Sequence, residues 1–167
     1  MSLVDTVIRD ARSDDASRIV EIYNHYVRTT TSTFDEEPTV VASIVARIAG
    51  SKRRHPWLVI EHEGLVQGYA YATEWKGRSA YRFSVETSIY LDPVATGRGL
   101  GRHVYQALLD RLDQVGVHCA IAGITLPNDA SIGLHEALGF RRIGVFRSVG
   151  FKFDRWLDVG YWQRSAG

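Results

Sequence analysis

Glu86 is the one charged residue in the β-prone run Val85-Glu86-Thr87-Ser88-Ile89-Tyr90-Leu91. A carboxylate embedded in an apolar strand has its charged form disfavoured by desolvation, which makes it a better proton acceptor. Asp92-Pro93 then ends the strand, and Gly97, Gly99 and Gly101 follow at alternate positions before an apolar helical pattern opens at Leu100. Strand, glycine-rich turn and helix together aim backbone N–H groups at one point, a ready anion site. Arg98 and Arg102 fall at or near the start of that helix, where a cation opposes the helix dipole by ~0.3–1 kcal/mol. They make sense there if an anion such as a pyrophosphate neutralises them. On these residues alone two bland readings stay open: a tight turn with incidental arginines, and a Glu86 that points to solvent or pairs with Arg78 or Arg82.

Spacing removes several other chemistries. Gly97-Arg98-Gly99-Leu100-Gly101 is G-x-G-x-G, so the dinucleotide fingerprint is absent, and there is neither a P-loop nor a G-x-S-x-G elbow. His25, His55, His62, His103, His118 and His135 form no close pair at metal-ligand spacing, and no metal site is expected. A formal net charge of +1 gives no electrostatic case for nucleic acid or a membrane surface, and the short Lys52-Arg53-Arg54-His55 run reads as solvated surface. The single cysteine, Cys119, rules out an intrachain disulfide and suits a reducing compartment; inside an apolar run it reads as a small core residue. No stretch approaches a membrane span, and Met1 to Asp5 lacks a signal peptide's basic and apolar regions, so the expectation is a cytoplasmic protein. At 167 residues one domain spanning residues 1–167 is expected.

The elements that would position these groups follow from periodicity. Thr6 to Asp10 reads as a strand, followed by a helix capped at Ser13 or Asp14 with its stripe from Ala16 to Val27, stopped by Thr29-Thr30-Thr31-Ser32-Thr33. A second helix covers Val41 to Ile48, and Trp57 to His62 with Leu65 to Thr73 forms a hairpin turned at Glu63-Gly64. A basic loop, Trp75-Lys76-Gly77-Arg78-Ser79, leads to the central strand, expected from Ala80 to Leu91. A helix from Gly99 to Val115 places Leu100, Val104, Leu108 and Leu112 on one face, and a strand runs from Val117 to Thr125. Asn128 or Asp129 caps a short helix ending at Gly139, and two strands, Arg142 to Val149 and Asp158 to Gln163, flank an irregular Gly150 to Trp156. Hairpins before the glycine turn and helical crossovers around it predict an α/β domain with a mixed sheet.

The strand–turn–helix resembles the acetyl-CoA pyrophosphate loop of the GCN5-related N-acetyltransferases (GNAT), Arg/Gln-x-x-Gly-x-Gly after a strand. Further segments resemble the phosphinothricin and methionine sulfoximine N-acetyltransferases within that superfamily. They are Tyr23-Asn24-His25-Tyr26-Val27, Pro56-Trp57-Leu58-Val59, Trp75 to Tyr81, Val85 to Tyr90, Leu126-Pro127-Asn128-Asp129-Ala130-Ser131, Leu134-His135-Glu136-Ala137-Leu138-Gly139-Phe140 and Gly150-Phe151-Lys152 through Gln163. The chain departs from the pattern at Thr96, where the superfamily has arginine or glutamine.

The resemblance implies a GNAT fold, with about seven strands and four helices, and acetyl transfer from acetyl-CoA, as co-substrate, to the amine of a small amino acid or analogue. In it Glu86 matches the general base and His135 a second acid–base group. Ile89, Tyr90 and Leu91 match the strand whose backbone meets the pantetheine arm, Gly97, Arg98, Gly99, Leu100, Gly101 and Arg102 the pyrophosphate loop, and Asn128 an asparagine beside the cofactor. For the acceptor, Lys76 and Arg78 match a basic pair suited to a carboxylate, with Phe34, Tyr81 and Ser88 around the amino acid. The resemblance also implies a homodimer. Two alternatives are carried: a GNAT enzyme acting on a peptide N-terminus or another amine, and a non-catalytic acyl-CoA-binding sensor.

Overall fold

The computed structural model describes residues 5–51 and 53–166. Met1 to Val4 and Lys52, on which parts of the leader and surface-charge readings fall, lie outside the described residues. Seven strands form one sheet: β1 (Thr6–Asp10), β2 (Trp57–His62), β3 (Leu65–Glu74), β4 (Ser84–Leu91), β5 (Cys119–Thr125), β6 (Arg141–Lys152) and β7 (Arg155–Ser165). Their order across the sheet is β1-β2-β3-β4-β5-β7-β6, and all neighbours are antiparallel except β4 and β5. The helices are α1 (Ala16–Thr29), α2 (Val41–Ala49), α3 (Leu100–Gln114) and α4 (Asp129–Ala137). The expected mixed α/β sheet is therefore present.

The two sheet faces are covered unequally. On one, Leu100, Val104, Leu108 and Leu112 of α3 pack on Leu58, Ala70, Val85, Ala122 and Trp162, a layer that spans β2 to β7. On the other, Ile19, Ile22 and Tyr23 of α1 and Ile44 of α2 pack on Val59, Tyr69 and Tyr71. No residue of β5, β6 or β7 belongs to that second layer among the described residues. The α1/α2 face is thus open beyond β4.

Several boundaries differ from expectation. The central strand starts at Ser84, not Ala80, because residues 79–81 form a 3-10 turn closed by Tyr81 N–H to the Arg78 carbonyl at 2.9 Å. The chain enters α1 through another such turn at Ser13–Asp15, so neither Ser13 nor Asp14 caps it; instead Asp15, buried against Arg9 at 2.8 Å, takes the Arg12 N–H at 2.7 Å. Gly50 ends α2 in a right-handed conformation. The last two strands run on through Gly150 to Trp156 and turn only at Phe153 and Asp154, both with positive φ. That hairpin carries no Gly-type turn signal, which is why the sequence reads there as loop. Arg54 is not simply solvated: its guanidinium lies 4.6 Å from the Phe83 ring centre. Cys119 is a buried strand residue, as expected.

Candidate active site

The parallel pair β4–β5 is bonded only from Ser84 beside Cys119 to Glu86 beside Ile121. Beyond Glu86 the strands splay: β4 continues along β3 to Leu91, and β5 continues along β7 to Thr125. A strand edge that turns away from its neighbour leaves backbone groups without ladder partners. The space between holds a cleft of about 420 Å³. Thr87 to Leu91 form one wall, Gly123, Ile124 and Thr125 the other, the glycine turn one end, and Asn128, Ser131 and His135 of the α4 region the rest.

Local sequence builds each part. Asp92 accepts from Val94 N–H at 3.0 Å and starts a 3-10 turn with Pro93 in its first position. The Thr96 hydroxyl donates to the Pro93 carbonyl at 2.8 Å, so this departure from the superfamily pattern is spent on holding the turn. Gly97 and Gly99 have φ of +73° and +80°, a region that favours glycine, and Gly99 precedes α3. The Leu100, Gly101 and Arg102 amides lie in the first turn of α3, where no intrahelical acceptor exists. At Gly101 a Cβ would stand 3.0 Å from Leu91 Cδ1, so a side chain there would press on β4. Gly97, Gly99, Gly101 and Arg102 line the cleft; Leu100 is wholly buried in the core and has only its amide to offer, and Arg98 is exposed outside the lining. Asn128 accepts from Ser131 N–H at 3.1 Å, capping α4, and also lines the cleft. The Leu91 carbonyl already accepts the Tyr26 hydroxyl at 2.6 Å.

Glu86 is half-buried at the closed end of the splay. No side-chain hydrogen bond or ion pair to Arg78 or Arg82 holds it; burial pushes its carboxyl above the usual range, against a smaller opposing pull from Lys76. Its register partners Thr73 and Ile121 put it on the open α1/α2 face. On that face a second hollow, about 410 Å³, lies between Trp75, Ile121, Phe146 and Tyr161. Burial, then the Glu86 charge, pushes the Tyr161 hydroxyl up.

His135 is held differently. Only 4 % exposed, it packs edge-on to Tyr105 and Phe140, each 5.1 Å away. Its Nδ1 lies 2.7 Å from the Ser131 carbonyl, which can only accept, so Nδ1 carries the proton. Burial lowers its pKa, and the bond to Ser131 opposes that shift. The neutral ring therefore keeps Nε2 as an acceptor.

The acceptor-side residues are more scattered. Ser88 lines the cleft, and Lys76 is close enough to Glu86 to influence it while stacking 5.0 Å from the Trp75 ring. Arg78 and Tyr81 lie exposed on the loop and are not drawn to Glu86. Phe34, 38 % exposed, lies against Gly150 of β6. The sequence reading missed the β5 wall, Gly123 to Thr125, and also Tyr26 and Ser32 as cleft residues. The small residues of Ala120-Ile121-Ala122-Gly123 were the available signal for a wall that something must approach closely. Among the described residues no cluster of His, Cys, Asp or Glu suited to a metal occurs.

Comparison with known proteins agrees with this architecture. Residues 8–160 match the Acetyltransferase (GNAT) domain family. The chain is 41% identical over 157 residues to the phosphinothricin N-acetyltransferase of Streptomyces viridochromogenes, covering 94% of this chain and 86% of that one. It is 38% identical to the L-methionine sulfoximine/L-methionine sulfone acetyltransferase of Salmonella typhimurium, covering 93% and 92%. Among solved structures it superposes on a phosphinothricin acetyltransferase of Sinorhizobium meliloti in complex with acetyl-CoA with TM-score 0.93, at 39% identity, covering 98% and 90%.

Proposed function

The chain belongs to the GNAT acetyltransferase family, and we propose that it moves the acetyl group of acetyl-CoA to the primary amine of a small amino acid or analogue. Phosphinothricin and methionine sulfoximine or sulfone, named for its relatives, are the first acceptors to test. The observation that carries the reading is the splay of β4 from β5 just past an unpaired, half-buried Glu86.

The residues fit acetyl-CoA. The glycine turn and first-turn amides of α3 suit a pyrophosphate, with Arg102 beside them. The β4 edge from Ser88 to Tyr90 suits an arm that adds to a sheet edge; Leu91 is the weaker member, its carbonyl being already engaged. When bound, acetyl-CoA supplies an activated thioester.

An amine reaches water-exposed sites protonated and must lose a proton to attack. Glu86 takes that proton. The nitrogen then bonds to the acetyl carbon, the carbon–sulfur bond breaks, sulfur leaves with its electron pair, and the second proton released by the nitrogen as the amide forms passes through water to the thiolate. β4 backbone N–H groups polarise the thioester carbonyl, an oxyanion-type effect. His135, which lines the cleft with Nε2 free to accept, takes a secondary acid–base role. The acceptor approaches on the open face, where Lys76 and Arg78 supply cations for its carboxylate and Phe34, Tyr81 and Ser88 surround it.

The same reading makes the protein a homodimer in the cytoplasm. The exposed Phe146, Val149, Phe151 and Trp156 of the β6–β7 hairpin support the first, the free Cys119 the second. Light scattering checks the dimer.

The function is tested by acetyl-CoA-dependent thiol release with and without amino-acid amines, peptide N-termini and polyamines. Amine-dependent release saturating with small amino acids is expected. Release only with peptides would favour a protein-modifying enzyme. Acetyl-CoA binding without release for any amine would leave a sensor and overturn the proposal.

A further inference from the structure

Lys152 is the only lysine or arginine among the described residues that is fully buried, at 2 % exposure. It sits on β6, the edge strand furthest from α1, yet its Nζ donates to the backbone carbonyl of Thr33, just beyond α1, at 2.8 Å. Two residues earlier on the same strand, Gly150 receives the ring of Phe34: a Cβ there would stand 2.2 Å from it. Gly150 is paired with Leu157, which shares strand parity with Tyr161, so both anchors lie on the face that carries Glu86. The segment after α1 therefore crosses the open face from one half of the sheet to the other and is pinned at its far side by Gly150 and Lys152.

The near side is pinned as well. The Thr33 hydroxyl is 2.7 Å from the Tyr23 hydroxyl, which also donates to Asp35 at 2.5 Å. Tyr23 packs edge-on to Tyr90 of β4 at 5.1 Å. Thr33 is thus held by its side chain from α1 and by its carbonyl from β6. The two residues that flank it are Ser32, in the cleft lining, and Phe34. Asp35 and Glu36 supply the negative field that faces the Lys152 ammonium, which also lies 5.0 Å from the Phe153 ring centre. Burying an ammonium is unfavourable unless it is bonded and paired, and an apolar side chain would fill the same space at lower cost. What the lysine adds is one directional bond that fixes the register of residues 32–34.

We infer that Lys152 is a positioning residue for the acceptor side of the site, a strut from β6 that holds Thr33 and thereby sets Phe34 against the acceptor. This rests on the reading of Phe34 as an acceptor wall. Lys152 itself touches no reacting atom.

Three variants test it: Lys152→Met, which keeps the stem and removes the donor; Gly150→Ala, which displaces Phe34 without touching the charge; and Phe34→Ala. Losing one bond to a charged group predicts an acceptor KM raised about tenfold in Lys152→Met, with kcat and the acetyl-CoA KM within about twofold. Gly150→Ala is expected to raise the same constant, and Lys152→Met on a Phe34→Ala background to add little. A lowered Tm with an unchanged acceptor KM in both Lys152→Met and Gly150→Ala, while Phe34→Ala raises it, overturns the strut and leaves the wall reading intact. No effect of Phe34→Ala on the acceptor KM overturns both. Should Lys152→Met fail to fold, Gly150→Ala and Phe34→Ala decide by the same criteria.

Discussion

Glu86 on β4, half-buried at the last paired position before the splay, and His135 on α4, buried in the cleft lining, sit in surroundings that differ in kind. His135 has its proton committed to the Ser131 carbonyl and its ring clasped between Tyr105 and Phe140. Glu86 has no hydrogen-bonding partner for its carboxylate, only burial and the distant pull of Lys76. Both shifts favour the neutral form, but the histidine is a hydrogen-bonded part of the core and the glutamate a half-buried carboxylate with no protein hydrogen bond at the closed end of the splay. An ionisable side chain kept half-buried without a partner lowers stability, and that combination marks it as the candidate for the chemistry.

Replacing each group in turn breaks or sharpens this contrast. Glu86→Gln is expected to lower kcat/KM by roughly 10²–10⁴-fold, the range for a positioned base. The sign of its effect on stability follows from linkage. A folded-state pKa raised above the unfolded one contributes stability below the unfolded pKa, and that contribution is lost as pH rises through the folded pKa. At pH 7 the charged carboxylate is therefore a burden, and the variant should melt at the same temperature as the parent or higher by calorimetry. Gly101→Val comes next. Its side chain presses on Leu91, and the acetyl-CoA KM should rise by roughly 10-fold or more with the acceptor KM unchanged in steady-state kinetics, the cost of overpacking being about 1–3 kcal/mol.

His135→Ala should reverse the pattern of Glu86→Gln. It empties a packed site, so stability falls by about 2–4 kcal/mol in urea titrations, while kcat falls less than tenfold. Because the folded-state pKa of His135 is depressed, its stabilising contribution is present above the unfolded pKa and lost as pH falls through the folded one. The gap between parent and variant should therefore narrow in acid. Thr96→Ala should be the smallest effect, within about threefold on the acetyl-CoA KM, since the hydroxyl of this cleft-lining residue is donated to the Pro93 carbonyl.

What the sequence made legible was whatever local pattern determines. Thr6 to Asp10, the Glu63-Gly64 hairpin, the α3 stripe and the glycine turn all lie where periodicity and turn chemistry put them. The start of β4 was misjudged because Tyr81 and Phe83 look strand-like, whereas a 3-10 turn and the stacking of Arg54 and Arg82 on Phe83 claim that stretch. The β6–β7 tip was misread because two non-glycine residues, Phe153 and Asp154, take positive φ. The splay itself was illegible. It arises where β4 and β5, each still paired on its outer side with β3 and β7, stop pairing with each other, which no single run of residues encodes. For the same reason Tyr26 and Lys152 carried no local sign of their place, and only the small residues up to Gly123 hinted at the β5 wall.

The central claim is that Glu86 is the proton acceptor, and the pH dependence of kcat/KM for the acceptor tests it most directly. In the parent the rate should fall in acid through a single ionisation above the usual glutamate range, as burial of Glu86 requires. In Glu86→Gln the residual rate should lose that limb and follow only the ionisation of the free amine. An acid limb of the same midpoint in both proteins, with kcat/KM near the parent value, would contradict the assignment.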